Sequence, residues 1–184
     1  MPVKEFSTPY PLIDSDPHAG RVVRYMRSSD YALWAGATVA GPGLLYLYGM
    51  SSSSLLIRCM LMSMDIIEKA DPTRYRFGIA PALRLTGFLG FCAGFMLAYQ
   101  QSSFRFMGFR ENAAEVVKDQ QELSARAAAG KPLYGEGDLS PYIQGVASRN
   151  STWSQLKFAA MPWFNFVNHN NHGVDTSKYT NASS

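Results

Sequence analysis

Cysteine is nearly absent from this chain of 184 residues, which has only Cys59 and Cys92. Two isolated thiols cannot hold an iron–sulfur cluster, which normally takes four, and they predict no disulfide framework. The sequence also lacks GxGxxG after a strand, GxxxxGK[ST] and GxSxG, the patterns typical of nucleotide and hydrolase sites. We therefore predict no catalytic residue and no cofactor.

Neither metal binding nor nucleic-acid binding is indicated by the polar residues. His169 and His172 stand three apart with Asp175 nearby, but this loop has no thiolate and no organised further ligand for zinc. We expect these side chains to hydrogen-bond to a neighbouring surface. The net charge is +3, and basic and acidic residues are interspersed. Such a balance lacks the clustered Lys and Arg of a nucleic-acid footprint.

Charged residues are missing from two long runs, Tyr31 to Met50 and Leu85 to Phe104. Twenty helical residues at about 1.5 Å each span about 30 Å, the thickness of a hydrocarbon core. Trp34 and several tyrosines lie toward the ends of the first run, where amphipathic rings prefer the membrane interface. Pro42 predicts a kink in that run. The predicted fold class is an all-α membrane protein with two transmembrane helices.

Residues 1–20 contain four prolines and no apolar stretch of a secretory signal, which predicts an extended surface arm. Arg21, Arg24 and Arg27 follow at a spacing of three, which places them on one helix face just before the first run. Two interpretations stay open: a solvated face, or anchors to anionic lipid headgroups. Their position next to the membrane favours anchors, to which Trp34 would add.

Small residues recur every four positions in both runs, at Gly36 and Ala40 in the first and at Gly90, Gly94 and Ala98 in the second. Such stripes allow the close approach of helix backbones in a membrane, although glycine is also simply common there. We expect these five positions to pack against a partner helix. That partner is either the other span or a helix of another protein.

Three regions follow from these patterns. An N-terminal arm covers residues 1–30. The two-helix transmembrane region covers 31–104, with a connecting segment over 51–76 that either prolongs the first helix or lies at the interface. The C-terminal region, 105–184, has an amphipathic helix and an aromatic-rich tail. Together these regions predict a partly helical, loop-rich C-terminal part.

The C-terminal region is polar. The stretch Glu111 to Ala129 predicts a helix that Gly130 and Pro132 end, and its narrow apolar stripe needs a surface to lie on. Shorter helices are predicted from Pro141 to Arg149 and from Thr152 to Ala160.

Aromatic residues crowd the tail, which shows no helical or strand period from Met161 to Tyr179. Trp163, Phe164 and Phe166 cannot build a core in so short a segment. Large apolar side chains without an intrachain core usually mark a binding surface. We therefore predict that these three residues dock on a partner.

Four long blocks carry a family resemblance: YPLIDSDPHAGRVVRYMRSSDYALW (10–34), PALRLTGFLGFCAGFMLAYQQSSFRFMGF (81–109), PLYGEGDLSPYIQGVASRNS (132–151) and PWFNFVNHNNHGVDTSKY (162–179). In content and order they resemble the 21-kDa accessory subunit family of fungal mitochondrial complex I. They touch most of the chain. The stretch from about Ser51 to Met64 is extra relative to that family, as a lengthened helix or an artefact of gene prediction.

The resemblance implies a non-catalytic accessory subunit of the membrane arm of mitochondrial respiratory complex I, which stabilises or assembles the complex. It implies a multi-pass location in the mitochondrial inner membrane, with other membrane-arm subunits and membrane lipids as partners. Two alternatives stay open: an inner-membrane assembly factor or tether, and a small carrier. A carrier would need an intramembrane ionisable cluster, and Arg84 has no acidic mate in either run.

Overall fold

A computed structural model of the chain describes residues 6–50, 80–157 and 162–180. The chain divides into two compact units. The terminal unit joins Met1–Asp30 to Ala98–Ser184, and the helix-pair unit is Tyr31–Leu97. Both ends of the sequence therefore belong to one body.

The described secondary structure is helical, apart from one isolated parallel bridge between His18 and Asn165. In chain order the helices are α1 (Ala19–Arg24), α2 (Ser28–Met50), α3 (Ala80–Phe106), α4 (Ala113–Ala128), α5 (Pro141–Ser151), α6 (Ser154–Lys157) and α7 (Ser177–Thr180). The predicted all-α class is confirmed.

Among the described residues, α3 is the one helix both long and apolar enough to cross a membrane. It has 27 residues. The 23 residues of α2 also suffice in length, and the helix runs on through Pro42. Tyrosine, glycine and proline dilute its leucine and valine, however, and lower its mean hydropathy. Length and composition thus identify one candidate span where the sequence predicts two.

The core of the terminal unit gathers side chains from the arm, the end of α3 and the C-terminal region. Its most deeply buried apolar members, each at most 2% exposed, are Val22, Tyr25, Ala98, Tyr99, Phe106, Met107, Leu123 and Tyr179. The rings of Tyr25 and Phe106 pack with centroids 5.0 Å apart. This core places the end of α3 at the centre of the unit.

The middle of the arm is buried, so the prediction of a surface arm over residues 1–20 is wrong for residues 13–17 and for Ala19. Ile13 is 3% exposed and Asp14 is 0% exposed. The backbone N–H groups of these two residues donate to the carbonyl oxygen of Phe106, over 3.0 and 3.1 Å. The arm thus finds main-chain acceptors at the end of α3, which removes the cost of burying its own polar backbone.

Helix α4 lies within the predicted range, and Gly130, at φ +64°, follows its end. Its buried positions are Glu115, Asp119 and Leu123, spaced by four, so its inner face is acidic as well as apolar. Helix α5 ends at Ser151, and α6 occupies part of the predicted 152–160 helix. The predicted connecting segment 51–76 lies outside the described residues, as do 158–161.

Candidate functional site

A buried ionic group, the inner cluster, joins the arm to the C-terminal region and consists of Asp14, Arg21, Asp119 and Tyr179. Asp14 accepts hydrogen bonds from the Asp16 backbone N–H at 2.9 Å and from Arg21 Nη1 at 3.3 Å. Arg21 also forms an ion pair with Asp119. Tyr179 Oη donates to the other oxygen of Asp119 at 2.6 Å. Arg21 on α1 thereby links the arm to α4, and Tyr179 joins α7 to the same carboxylate of α4.

The phenol of Tyr179 in the inner cluster and the phenol of the neighbouring Tyr134 keep their protons. Burial raises the pKa of Tyr179, and its neighbour Tyr134 adds to the shift. Burial, together with the charge of Asp14, raises the pKa of Tyr134 to about 12. Both hydroxyl groups are therefore neutral at physiological pH, and Tyr179 acts as a donor to a charged carboxylate.

A second group, the outer cluster, consists of Arg27, Asp30, Arg105, Glu111 and Glu115. Arg27 Nε and Nη2 donate to the two oxygens of Glu115, at 2.7 and 2.5 Å. Arg105 forms an ion pair with Asp30, and its Nε lies 3.2 Å from Glu115. The hydrogen bond with Glu115 raises the pKa of Arg27. The carboxylate of Glu115 therefore forms ion pairs with two guanidinium groups.

Arg24 makes the most exposed of these arginine contacts. Its Nη1 lies 3.1 Å from Glu122, which also accepts a 2.6 Å hydrogen bond from Tyr25 Oη. Burial and the bond with Glu122 raise the pKa of Tyr25. Burial opposes the charge of Glu122, but the Tyr25 bond and the charges of Arg21, Arg24 and Arg126 outweigh it and lower the pKa of Glu122.

The arm and α4 carry complementary charge series, and these charges position α4 along with its narrow apolar stripe. The first acids, Glu111 and Glu115, meet Arg27, whereas the later ones, Asp119 and Glu122, meet Arg21 and Arg24. These pairs place the three arm arginines along the acidic face of α4.

The three arginines predicted as membrane anchors thus have carboxylate partners inside the terminal unit. Their side chains are 11% exposed for Arg21, 34% for Arg27 and 59% for Arg24. Membrane anchoring stays a prediction, and Arg24 has the guanidinium most open to a headgroup.

The C-terminal end of α3 is closed by the arm and by Asn112. The Asn112 amide donates to the carbonyl oxygens of Arg105 and Pro11, at 2.8 and 2.7 Å. Gly108 follows with φ +76°, and a Cβ placed there would lie 2.5 Å from the carbonyl oxygen of Tyr10. Glycine is required here because both the backbone conformation and the close approach of the arm exclude a side chain.

Within the helix-pair unit, two of the predicted packing glycines contact α2. A Cβ at Gly90 would lie 2.5 Å from the carbonyl oxygen of Ala37, and one at Gly94 would lie 2.8 Å from that of Trp34. Trp34 Nε1 donates to the carbonyl oxygen of Phe91 at 3.0 Å. The second stripe of small residues and the predicted interface tryptophan therefore both serve the contact between α2 and α3.

The other predicted packing positions lie elsewhere. Gly36 has open space where a Cβ would stand, and Ala40 is exposed. Ala98 is fully buried within the terminal unit. The structure thus brings Gly90 and Gly94 together with α2 and leaves the face of Gly36 and Ala40 uncovered.

The three tail aromatics predicted to dock on a partner differ in exposure. Trp163 is 43% exposed and Phe166 is 74% exposed. Phe164 packs against Tyr99, with ring centroids 4.5 Å apart. The ring of Phe164 therefore packs inside the terminal unit, whereas Trp163 and Phe166 are exposed on its surface.

The two tail histidines are buried against arm carboxylates. His169 Nε2 lies 2.7 Å from Asp16 Oδ2, and His172 Nδ1 lies 2.8 Å from Asp14 Oδ1. In the part of the chain that the structure describes, no group of three or more His, Cys, Asp or Glu side chains could hold a metal ion. The arrangement links two segments that are about 155 residues apart in sequence.

Sequence reasoning missed these long-range partnerships. The signal was present in the matched spacing of the arm arginines with the acids at Glu115, Asp119 and Glu122, which share a helix face. A pairing between two helical charge series was testable from that spacing. The contacts of Asp14 and Asp16 with the histidines have no comparable period and leave no local trace.

Comparison with known proteins gives matches along nearly the whole chain. Residues 7–65 and 57–111 match the family described as NADH-ubiquinone oxidoreductase complex I, 21 kDa subunit. Residues 120–184 match the C-terminal family of the NADH-ubiquinone oxidoreductase 21 kDa subunit. The two pieces of the first match overlap near the stretch that is extra by sequence.

A curated relative from Neurospora crassa, the NADH-ubiquinone oxidoreductase 20.9 kDa subunit, is 46% identical over 177 residues. The alignment covers 96% of this chain and 84% of the relative. The similarity therefore includes the arm, both long helices and the tail.

Proposed function

This chain belongs to the family of the 21 kDa subunit of NADH-ubiquinone oxidoreductase, respiratory complex I, and we propose that it is a non-catalytic accessory subunit of the membrane arm. Its role is mechanical: α2 and α3 lie in the mitochondrial inner membrane, and the terminal unit stabilises the complex against neighbouring subunits. The observation that carries this proposal is the joint burial of arm and tail around the end of one apolar helix.

The terminal unit supports a two-span topology. Arm residues Arg21 and Arg27 pair with Asp119 and Glu115 on α4. The arm and the C-terminal region therefore lie on the same side of any membrane. If α3 crosses the membrane once, the chain must cross a second time between the arm and the start of α3. Helix α2, whose residues 31–50 carry no charge, is the described element with the length for that crossing.

Exposed apolar side chains on both long helices support membrane burial of the helix-pair unit. Val39 and Leu47 of α2 are 69% and 65% exposed, and Phe88 of α3 is 64% exposed. Side chains of this size on one unit need lipid or protein around them. In this proposal, lipid tails and helices of other subunits cover them.

Surface aromatics on the terminal unit support contact with a second protein. Trp163 and Phe166 are two of these aromatics, and a third is Tyr142 on α5, which is 77% exposed. Aromatic side chains are enriched at protein interfaces and tend to dominate their energetics. We propose that these residues dock on another complex I subunit.

Native gel separation of mitochondrial membranes tests the role. We expect the chain to comigrate stably with mature complex I, and its loss to lower the amount of assembled complex. The NADH oxidation rate per assembled complex should stay unchanged, because the chain supplies no reacting group. Comigration with subcomplexes alone would instead identify an assembly factor.

Cysteine labelling tests the topology. In the first variant, Cys92→Ala leaves Cys59 as the reporter for the connecting segment. In the second variant, Cys59→Ser and Ala129→Cys are added, so that the reporter lies in the C-terminal region. In mitoplasts and in inverted membranes, a membrane-impermeant maleimide should reach the two reporters from opposite sides. Labelling of both from one side would contradict the two-span arrangement.

A further inference from the structure

A groove in the terminal unit lies between the arm, the end of α5 and the tail, and it has a volume of about 680 Å³. Its apolar walls come from the arm at Phe6 and Leu12, from Trp153 just after α5, and from Val174 in the tail. The described lining includes no member of the inner cluster or the outer cluster. The groove is therefore separate from the ionic contacts that hold the arm on α4.

Arg149 supplies a positive charge to this groove. It is exposed, and its guanidinium has no carboxylate partner within the part of the chain that the structure describes. No Asp or Glu occurs among the described residues that line the groove. His172 also reaches the lining, but its ring nitrogens face Asp14 and the carbonyl oxygen of His169. An unpaired guanidinium beside apolar walls favours a ligand with a carboxylate, which it can bind through two parallel N–H···O bonds.

The tail side of the groove offers hydrogen-bond donors and acceptors together. Asn170 and Asn171 line it and are exposed, and their side-chain amides have no hydrogen-bond partner among the described residues. Each amide can donate to a backbone carbonyl and accept from a backbone N–H. An extended peptide carries both of these groups along its main chain, whereas a lipid acyl chain carries neither. The polar wall therefore favours a peptide as the ligand.

Trp153 is held in the groove wall by a strained backbone. Its φ is +58°, in the left-handed region that a bulky residue rarely adopts. Its N–H donates to the carbonyl oxygen of Ser15 at 3.2 Å, and its ring packs edge-on against Phe6 with centroids 5.2 Å apart. Such strain persists only where the surroundings fix it, and it is concentrated at functional sites such as ligand clamps. The arm thus fixes the indole as a preformed apolar wall.

Helix α5 carries the charge of the groove and one of the proposed docking aromatics on the same face. Arg149 follows Tyr142 by seven positions, or about two helical turns, and both side chains are exposed. We propose that the groove binds an extended acidic segment of a neighbouring complex I subunit, with a carboxylate on Arg149 and an apolar side chain against Trp153. The inference rests on the proposed function, because only the assembled complex supplies this occupant.

Carbodiimide coupling in purified complex I tests the contact directly. The reagent joins an amine to a carboxylate that touches it, and guanidinium groups do not react. Arg149→Lys therefore supplies a reactive amine that the wild-type chain lacks at this position. We expect mass spectrometry to find that amine joined to an Asp or Glu of one other subunit. The matched control is Asn150→Lys, which places the amine about 100° around α5 and outside the groove, and which should not couple to that segment.

Charge exchange gives a second measurement that does not use the reagent. In assembled complex I, hydroxyl radicals should oxidise Leu12 and Val174 at least threefold more slowly than in the detergent-purified chain. Arg149→Glu puts two acids in contact, so we expect this protection to be lost. Replacing the coupled acid of the partner by lysine should restore it. Lys131→Glu makes the same charge change outside the groove and should keep the wild-type protection.

Native gels separate failure of this inference from failure of the proposed function. If the chain comigrates with complex I but the amine couples to no other subunit, the groove proposal alone is overturned. Protection of Leu12 and Val174 in lipid nanodiscs that contain this chain by itself would identify a lipid as the occupant and would also overturn it. Absence of the chain from complex I would overturn the proposed function and the groove proposal together.

Discussion

Arg27 and Glu115 form a two-pronged ion pair across 88 residues of sequence, with N–O distances of 2.7 and 2.5 Å. The carboxylate is buried, and the guanidinium stands immediately before α2. This pair fixes the first turn of α4 against the point where the chain leaves the terminal unit. It also shares its carboxylate with Arg105 at the end of α3.

The outer cluster gives a test of the ionic core. Glu115→Gln leaves Arg27 and Arg105 without their shared charge, and removing one partner of a buried pair typically costs roughly 3–5 kcal/mol of unfolding free energy. The exposed Glu111, which also pairs with Arg27, is the matched control. Glu111→Gln should cost much less than Glu115→Gln, because solvent screens an ion pair of an exposed carboxylate. Urea unfolding of the chain in detergent measures both, and equal losses would contradict a central role for Glu115.

The turn after α3 can be tested with two glycines of positive φ. Gly108→Ala adds both backbone strain and a clash with the arm, so we expect a loss of roughly 2–4 kcal/mol. Gly130→Ala has open space and carries the strain alone, about 1 kcal/mol. The same unfolding measurement compares them. Equal losses of unfolding free energy in the two variants would contradict a close contact between the arm and Gly108.

Close packing of α2 and α3 predicts that leucine substitutions disrupt the helix pair at Gly90 and Gly94 but not at Gly36. Replacing both Gly90 and Gly94 by Leu forces the helices apart, so the chain should be retained severalfold less in assembled complex I. Gly36→Leu meets open space within the chain and should leave the helix pair intact. Quantitative blotting of native gels reads out retention. Normal retention of the double variant would remove the packing argument.

The tail aromatics separate docking from folding. Trp163→Ala and Phe166→Ala remove exposed rings, so the isolated chain should lose less than about 1 kcal/mol of stability while its retention in the complex falls. Phe164→Ala removes a ring packed on Tyr99 and should cost the isolated chain about 2 kcal/mol. Unfolding in detergent and native gels measure the two effects. Loss of stability without loss of retention at Trp163 would argue against docking.

The long helices and α4 were accessible from sequence because their signals are local. Charge-free runs mark α2 and α3, and a glycine followed by a proline ends α4. The buried arm was not accessible, because Asp14 and Asp16 among prolines have the composition of surface chain. Their burial depends on partners more than 150 residues away, such as His169, and no periodicity encodes such a meeting.

The terminal unit is assembled from both ends of the chain, and this has a consequence for biosynthesis. Asp119 binds Tyr179, and Asp14 binds His172. These two carboxylates are synthesised earlier, whereas Tyr179 and His172 are among the last residues that translation adds. An N-terminal fragment that ends before residue 169 contains the outer cluster but lacks His169, His172 and Tyr179, which are partners of Asp16, Asp14 and Asp119. We therefore expect truncated products that lack the tail to be cleaved by proteases faster than the full chain.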